Sequence, residues 1–301
     1  HLDHAIPPWI PRRISFKKIK VRKKTTRYHS MKFALCNEVL QELSIEEGFS
    51  KIAEIGYQGV EIAPFTLKKN PLEINESDAE RCINAAKSAG IEIVGLHWLM
   101  AKSEGLHITH SDEGMRQAAC DYLKKLTRLT AQMGGTIMVL GSPQQRNLEH
   151  GTVYNDAFAR AVKIISEVCE LAGELGVTLA VEPLSPAETS FLSSCQEARR
   201  FITAVNQPAC RMHLDMKAMA HETAGTIATI YDHRWEVAHF HGNDVNHRGP
   251  GQGPTDLKAV ARALKDINYQ GWISVEPFDY HPSPEDCARI SLKNLQTSFS
   301  E

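Results

Sequence analysis

Four side chains that can bind a divalent cation follow short apolar runs in the second half of the chain. They are Glu182 in AVEP, Asp215 in HLDM, His241 in HFHGND and Glu276 in SVEP. The separations of 33, 26 and 35 residues each correspond to about one strand and one helix. Three carboxylates and an imidazole suit an ion of intermediate hardness such as Mn²⁺, Co²⁺ or Mg²⁺. Because three buried carboxylates would repel one another without a cation, the pattern predicts a metal site.

Other polar side chains near these four extend the candidate site. Residues two apart on a strand share a face, so His213 and His239 are predicted to lie beneath Asp215 and His241 as supporting or core residues. Asp244, three residues after His241, could orient its imidazole ring. Taken singly, a glutamate or histidine at a strand end is usually structural, and only the coincidence of four favours coordination.

Earlier strand ends carry further candidates for substrate binding. His97 and Trp98 follow the run VGL, and an aromatic side chain there is typical of a pocket wall, with core packing as the alternative. Glu61 in GVEIAP could meet a substrate hydroxyl, and a structural ion pair is the equally open alternative.

A regular alternation of short apolar runs and longer amphipathic segments must position these side chains. The eight predicted strands are Lys32–Cys36, Gly59–Ala63, Ile91–Leu96, Thr136–Leu140, Thr178–Glu182, Arg211–Asp215, Val237–His241 and Trp272–Glu276. A helical segment follows each strand, and the first is predicted to begin with a capping box of Ser44 and Glu47 and to end at Gly56. The alternation predicts an α/β protein with a closed (β/α)8 TIM barrel, and a doubly wound open sheet is the alternative. In such a barrel the active site lies at the C-terminal ends of the strands.

The first thirty residues differ from the rest of the chain. They contain nine Lys and Arg and one acidic residue, whereas residues 31–301 contain 25 basic and 35 acidic residues. We predict that residues 1–30 are a basic leader outside the fold, from an upstream-extended start or an added segment, with a targeting or nucleic-acid arm as the alternative. Residues 31–301 are predicted to form one catalytic domain. Its acidic balance argues against nucleic acid as a partner.

Composition limits the class of protein. The chain has 301 residues, of which 42 % are hydrophobic and 23 % charged, as in ordinary globular domains. It contains no apolar run of about 18 residues, so no membrane contact is predicted. Its seven cysteines are scattered without a C-x-x-C pair, which favours free thiols in a reducing, cytoplasmic setting. The sequence is compatible with a homo-oligomer.

The motifs around the four candidate ligands, together with RGPGQGPTDL from Arg248, resemble the xylose-isomerase-like sugar isomerase/epimerase superfamily. The resemblance runs from Met31 to the end of the chain and is specific to the superfamily rather than to one reaction. It implies one Mn²⁺, or Co²⁺, Mg²⁺ or Zn²⁺, held by the residues that match Glu182, Asp215, His241 and Glu276. It also implies that the two glutamates are the catalytic acid/base pair, acting on a sugar through a metal-stabilised cis-enediolate.

The sequence departs from the epimerase pattern near the predicted substrate. Ala218 stands where these epimerases commonly carry a substrate-binding histidine, and His247 stands where they often carry arginine. Lys217 and His247 could replace those contacts, and Arg248 joins them as a substrate-binding candidate.

The resemblance and the departures together predict a metal-dependent isomerase or epimerase of a ketose or keto-sugar. A metal-dependent lyase or dehydratase on an inosose or a 3-keto-glycoside is the alternative, and a sugar-binding subunit without catalysis is a remote one. A DNA-repair nuclease of the same superfamily is disfavoured by Ala218, which removes an expected ligand, and by the acidic domain.

Overall fold

The computed structural model describes residues 31–300, and eight parallel strands in this range close into a barrel in chain order. The strands are β1 Lys32–Cys36, β2 Gly59–Ile62, β3 Glu92–Leu96, β4 Ile137–Leu140, β5 Thr178–Val181, β6 Cys210–Asp215, β7 Val237–Gly242 and β8 Trp272–Val275. The predicted TIM barrel is therefore confirmed, and the open sheet is excluded. The predicted leader, residues 1–30, lies outside the described residues.

Helices separate the strands and cover the outside of the barrel. They are α1 Ile45–Ile55, α2 Glu76–Ala89, α3 Glu113–Gln132, α4 Tyr154–Glu174, α5 Cys195–Val205, α6 Met216–Met219, α7 Gly225–Asp232, α8 Leu257–Asp266 and α9 Pro284–Ser300. The capping box of Ser44 and Glu47 begins α1, and Gly56 ends it in the left-handed conformation at φ 111°, as predicted. Within residues 31–300, none of the helices combines the length and apolarity needed to span a bilayer. All seven cysteines lie in this range, buried and unpaired.

Strand residues alternate between the two sides of the barrel wall. Phe33 and Leu35 belong to the large core between strands and helices, whereas Ala34 points inward. The apolar cluster inside the barrel consists of Ala34, Val94, Ile137, Val139 and Ala180, with Trp272 packed against it. Gly59 makes room for that indole, because a Cβ at Gly59 would lie 2.8 Å from the Trp272 ring. These apolar side chains therefore form a floor that closes the N-terminal end of the barrel.

Polar side chains fill the barrel above this apolar floor. β6 and β7 pair in a register that places His213 beside His239 and Asp215 beside His241. Glu61 of β2 is fully buried among them. TIM-barrel interiors are usually filled by branched aliphatic side chains. The polar interior therefore marks the C-terminal end of this barrel as the place where chemistry is built.

Candidate active site

Donor atoms from three neighbouring strands converge at the C-terminal end of the barrel. Glu182, His213, Asp215 and His241 each place one possible ligand atom within 4.8 Å of the others. Three of the four predicted ligands thus lie in one cluster, and His213, predicted as a supporting residue, is its fourth member. The remaining predicted ligand, Glu276, lies against this cluster through His241, with 3.0 Å between Glu276 Oε2 and His241 Nδ1.

The end of β5 and the segment after β4 position Glu182. Its backbone N–H donates to Leu140 O at 3.1 Å, which continues the parallel ladder one residue beyond the strand. Its carbonyl accepts from Nη1 of the buried Arg146 at 2.8 Å. Gly141 leaves space for the carboxylate, since a Cβ there would lie 2.3 Å from Glu182 Oε2. Burial, reinforced by the charges of nearby carboxylates, raises the pKa of Glu182 to about 8.

Asp215 is held by helix α6, which follows β6, and by the loop that follows β7. Its Oδ1 accepts from the backbone N–H of Ala218 at 2.7 Å, and its Oδ2 accepts from the side-chain amide of Asn243. The amide oxygen of Asn243 in turn accepts from the Lys217 backbone N–H at 2.8 Å. Burial and the neighbouring Glu276 raise the pKa of Asp215. The aspartate is therefore fixed in orientation, in surroundings that disfavour its charged form.

His241 lies between two buried carboxylates. Its Nε2 is 3.0 Å from Glu61 Oε1, and its Nδ1 is 3.0 Å from Glu276 Oε2. The other oxygen of Glu61 lies 2.7 Å from His239 Nε2. Burial opposes the charged form, but the two carboxylates outweigh burial and raise the pKa of His241 well above its ordinary value. Both ring nitrogens of His241 thus face carboxylates, and as a metal ligand the ring would be neutral and would offer one of these nitrogens.

The predicted role of Asp244 is wrong, because the carboxylates that contact the His241 ring are those of Glu61 and Glu276. Asp244 instead accepts from the backbone N–H groups of Val245, Gly253 and Thr255 and from the Thr255 hydroxyl. These bonds tie the glycine-rich loop after β7 to the end of its strand. Asp244 is therefore a loop-anchoring residue.

The donor set fits a divalent cation of the Mn²⁺, Co²⁺ or Zn²⁺ kind, which accept mixed nitrogen and oxygen ligands. Both ring nitrogens of His213 lack a hydrogen-bond partner among the described residues, although the side chain is fully buried. Burial lowers the pKa of His213 well below its ordinary value, so the ring is neutral and keeps a lone pair. Its Nε2 lies 3.9 Å from Glu182 Oε1. An unsatisfied buried imidazole beside carboxylates fits a cation site, because a bound ion would satisfy one of its nitrogens.

A small cavity of about 40 Å³ lies next to the donor cluster. Glu182 and Glu276 both border it, together with His97, Trp98 and Lys217. His97 is held by Glu38, whose Oε2 lies 2.9 Å from His97 Nε2. The cavity is therefore the space in which two carboxylates can reach one bound molecule, and three of the predicted substrate-binding residues border it.

Lys217 is buried at the edge of this small cavity. Its ammonium pairs with Glu188 and lies 4.8 Å from the centroid of the Phe278 ring. Burial opposes its charge, yet the nearby carboxylates of Asp215 and Glu188 raise its pKa. Lys217 therefore presents a permanent positive charge beside the two glutamates.

The other three predicted substrate-binding residues lie away from the small cavity. Glu61 has no exposed surface and is bound by two histidines below the donor cluster. His247 is exposed in the loop after β7, with its ring 6.0 Å from that of Phe278. Arg248 donates from Nη2 to His281 O at 2.8 Å and so links two loops.

Two contributors were missed in the sequence. Asn243 lies two residues after His241, so the alternation that led to His239 also indicates Asn243. Glu38 lies in the 3-10 turn Asn37–Leu40 directly after β1, at a strand end like the predicted ligands.

This chain belongs to the xylose isomerase-like TIM barrel family, whose sequence pattern matches residues 49–298. The resemblance noted in the sequence is thereby confirmed. The fructoselysine 3-epimerase of Escherichia coli O157:H7 is 24 % identical over 268 residues, covering 87 % of this chain and 96 % of that protein. The D-psicose 3-epimerase of Agrobacterium fabrum is 26 % identical over 235 residues, covering 76 % and 77 %. The solved structure of a 3-keto-D-glucoside 4-epimerase from Escherichia coli shares the fold with a TM-score of 0.78 and 21 % identity, covering 89 % of this chain and 99 % of that one.

Proposed function

We propose that this protein is a divalent-metal-dependent epimerase that inverts a hydroxyl-bearing carbon next to the carbonyl of a ketose or keto-sugar. The observation that carries the proposal is that Glu182 and Glu276 border one small cavity beside the donor cluster. Epimerisation requires one group to remove a proton from carbon and another to return it on the opposite face. The relatives support this reading, since their names describe epimerases of sugars that carry a keto group.

Each residue of the site has a role in this proposal. The predicted ligands Glu182, Asp215, His241 and Glu276 would hold one ion, for which we propose Mn²⁺, and His213 contributes a further donor. When bound, such an ion supplies Lewis-acid polarisation of the substrate carbonyl and its neighbouring hydroxyl. Glu182 and Glu276 exchange the proton at the reacting carbon.

The cavity wall supplies the remaining functions in this proposal. His97 and Lys217 would bind hydroxyl groups, since both residues border the cavity. Trp98 covers the cavity from the side of the loop after β3 and limits the access of water to the reacting carbon.

The proposal is tested by proton exchange at carbon. Protein loaded with Mn²⁺ is incubated in D₂O with ketoses, keto-glycosides and inososes, and products are analysed by NMR and mass spectrometry. We expect one deuterium at the carbon next to the carbonyl and a mixture of two epimers. Loss of water from the substrate would instead identify a dehydratase. If substrates bind but none of them exchanges a proton, that result would contradict an enzymatic role.

Metal dependence is tested by removal and return of the ion. We expect EDTA treatment to abolish exchange and Mn²⁺ or Co²⁺ to restore it, because the clustered carboxylates require a cation. Metal analysis accompanies the assay. Full exchange by protein that contains no stoichiometric metal would refute this part of the proposal.

A further inference from the structure

A second and much larger cavity opens beside the small one. It has a volume of about 420 Å³, and the two cavities share Trp98, Ser142, Pro143 and Phe278 in their walls. The small cavity measures about 40 Å³. A single water needs roughly 10–15 Å³ by this kind of measure, so the space beside the glutamates admits only a few atoms. The reacting end of a substrate fits there, and the rest of the molecule must extend into the larger cavity.

The size of the outer cavity exceeds what the remainder of a free ketose needs. Cavities of about 300–1,000 Å³ enclose drug-sized ligands, and about 420 Å³ falls within this range. Its position at the open end of the barrel, directly against the reacting space, makes it continuous with the route of the substrate. The outer cavity therefore has room for a second chemical unit attached to the sugar that reacts.

The chemistry of the outer cavity suits a ring. Its walls carry the aromatic side chains of Phe65, Trp98, Phe278 and Tyr280. Flat aromatic faces bind ring faces by stacking and by burial of C–H surface. Between them lie amide side chains that can bind hydroxyl groups, Gln41, Gln144 and Gln145. Lys102 lies over Phe65, with 3.9 Å from its ammonium to the ring centroid.

Backbone conformation marks the same wall independently. Trp98, Lys102 and Ser142 adopt left-handed backbone conformations, with φ of 50°, 58° and 44°. Non-glycine residues rarely adopt such values, which are strained and concentrate at ligand-binding sites. All three residues line the outer cavity. The fold thus accepts strain to hold this wall in place.

We propose that the outer cavity is a subsite for a second ring, so that the substrate is a keto-glycoside rather than a free ketose. The keto ring reaches Glu182 and Glu276, and the ring joined through the glycosidic oxygen stacks in the outer cavity on Phe65 and Trp98. The chemistry stays an epimerisation: one C–H bond is broken and re-formed, and nothing is oxidised or reduced. This inference rests on the proposed function and specifies its substrate class.

The test compares substrates that share the keto ring and differ in what is attached to it. A free ketose, a methyl 3-keto-glucoside, a 3-keto-disaccharide and an aryl 3-keto-glucoside are assayed with the metal-loaded protein for kcat/KM and for deuterium exchange. We expect at least a tenfold higher kcat/KM, mainly through KM, for a ring-bearing glycoside than for the methyl glycoside. The disaccharide and aryl arms show whether the second ring is a sugar or an aromatic group.

Variants tie the preference to this cavity. Phe65→Ala is expected to lower kcat/KM for the ring-bearing glycoside at least tenfold more than for the methyl glycoside. Gln144→Ala, at an exposed position, provides a second variant should the first fail to fold. Trp235→Ala is the matched control, because this aromatic side chain is 76 % exposed and lies outside both cavities. Titration calorimetry with the ring-bearing product gives a binding readout that is independent of turnover.

Two failures are distinguishable. Equal kcat/KM for the methyl and ring-bearing glycosides, or equal losses for both in Phe65→Ala, would overturn the subsite and leave the epimerase proposal standing. A free ketose preferred over every glycoside would do the same. Absence of exchange in every substrate would overturn the proposed function, and with it the subsite.

Discussion

Substitution of Gly141 by alanine tests whether the position of the Glu182 carboxylate controls the reaction. Gly141 follows β4, and the added Cβ would lie 2.3 Å from Glu182 Oε2 and 3.5 Å from its Cδ. Other heavy atoms of the described residues, apart from the chain neighbours of Gly141, stay beyond 4 Å. The backbone does not require glycine here, because Gly141 is not among the residues with positive φ. The change therefore presses on one carboxylate and on little else.

The expected size of the effect follows from that distance. An ordinary contact begins near 3.4 Å, so the carboxylate must move by about 1 Å. A displacement of about 1 Å in an active site can cost roughly 10²-fold in rate. Because the displaced group is the end of a flexible side chain, and because alanine restricts the unfolded chain, the free energy of unfolding should change by less than about 1 kcal/mol.

The assay measures kcat, the dissociation constant for Mn²⁺ and urea-induced unfolding for the same variant. We expect kcat and Mn²⁺ affinity to fall while the unfolding midpoint holds. Gly48→Ala is the matched control: Gly48 lies within α1, has nothing within 4 Å of the added Cβ, and should be stabilised by about 0.5–1 kcal/mol with unchanged activity. Wild-type kcat and Mn²⁺ affinity in Gly141→Ala would refute the assigned role of Glu182.

Three further outcomes test the same site. Glu276→Gln should lower kcat by about 10²–10⁴-fold because it removes one of two proton-transfer groups, and retained activity would remove Glu276 from the mechanism. Glu61→Gln should weaken Mn²⁺ binding about 10–100-fold, measured by calorimetry, because Glu61 orients the His241 ring, and unchanged affinity would contradict that role. In EDTA-treated protein, burial raises the pKa of Glu182 to about 8 from an ordinary 4.5. The folded state then holds the proton more tightly, so the free energy of unfolding should fall from pH 5 to pH 8 by up to about 1.4 kcal/mol per pH unit. Urea titrations of Glu182→Gln should show a flatter pH dependence, and an identical slope would argue against this pKa.

The barrel could be predicted closely because its signals are local. The period of two within the strands and the caps of the helices fix most boundaries to within one or two residues, as α1 between Ser44 and Gly56 shows. The short helix α6 was not predicted. It is a single turn that begins where Asp215 Oδ1 accepts from the Ala218 N–H, and four residues carry no periodicity to detect.

The interior of the site was less predictable because its contacts cross the barrel. Glu61 and His241 are 180 residues apart, and Glu38 and His97 are 59 apart. The sequence indicates that each side chain points inward, but strand tilt and register decide which ones touch. For the same reason the cluster contains His213, which the strand pattern had placed one layer below the ligands.

The apolar floor against which Trp272 packs has a kinetic consequence. Because the barrel is closed at one end, product must leave through the same opening by which the next substrate enters. Product inhibition should accordingly be competitive. Trp98 and Phe278, which line the outer cavity, would then affect product release as much as substrate binding. Product release past these two side chains would limit kcat whenever the chemical step is fast.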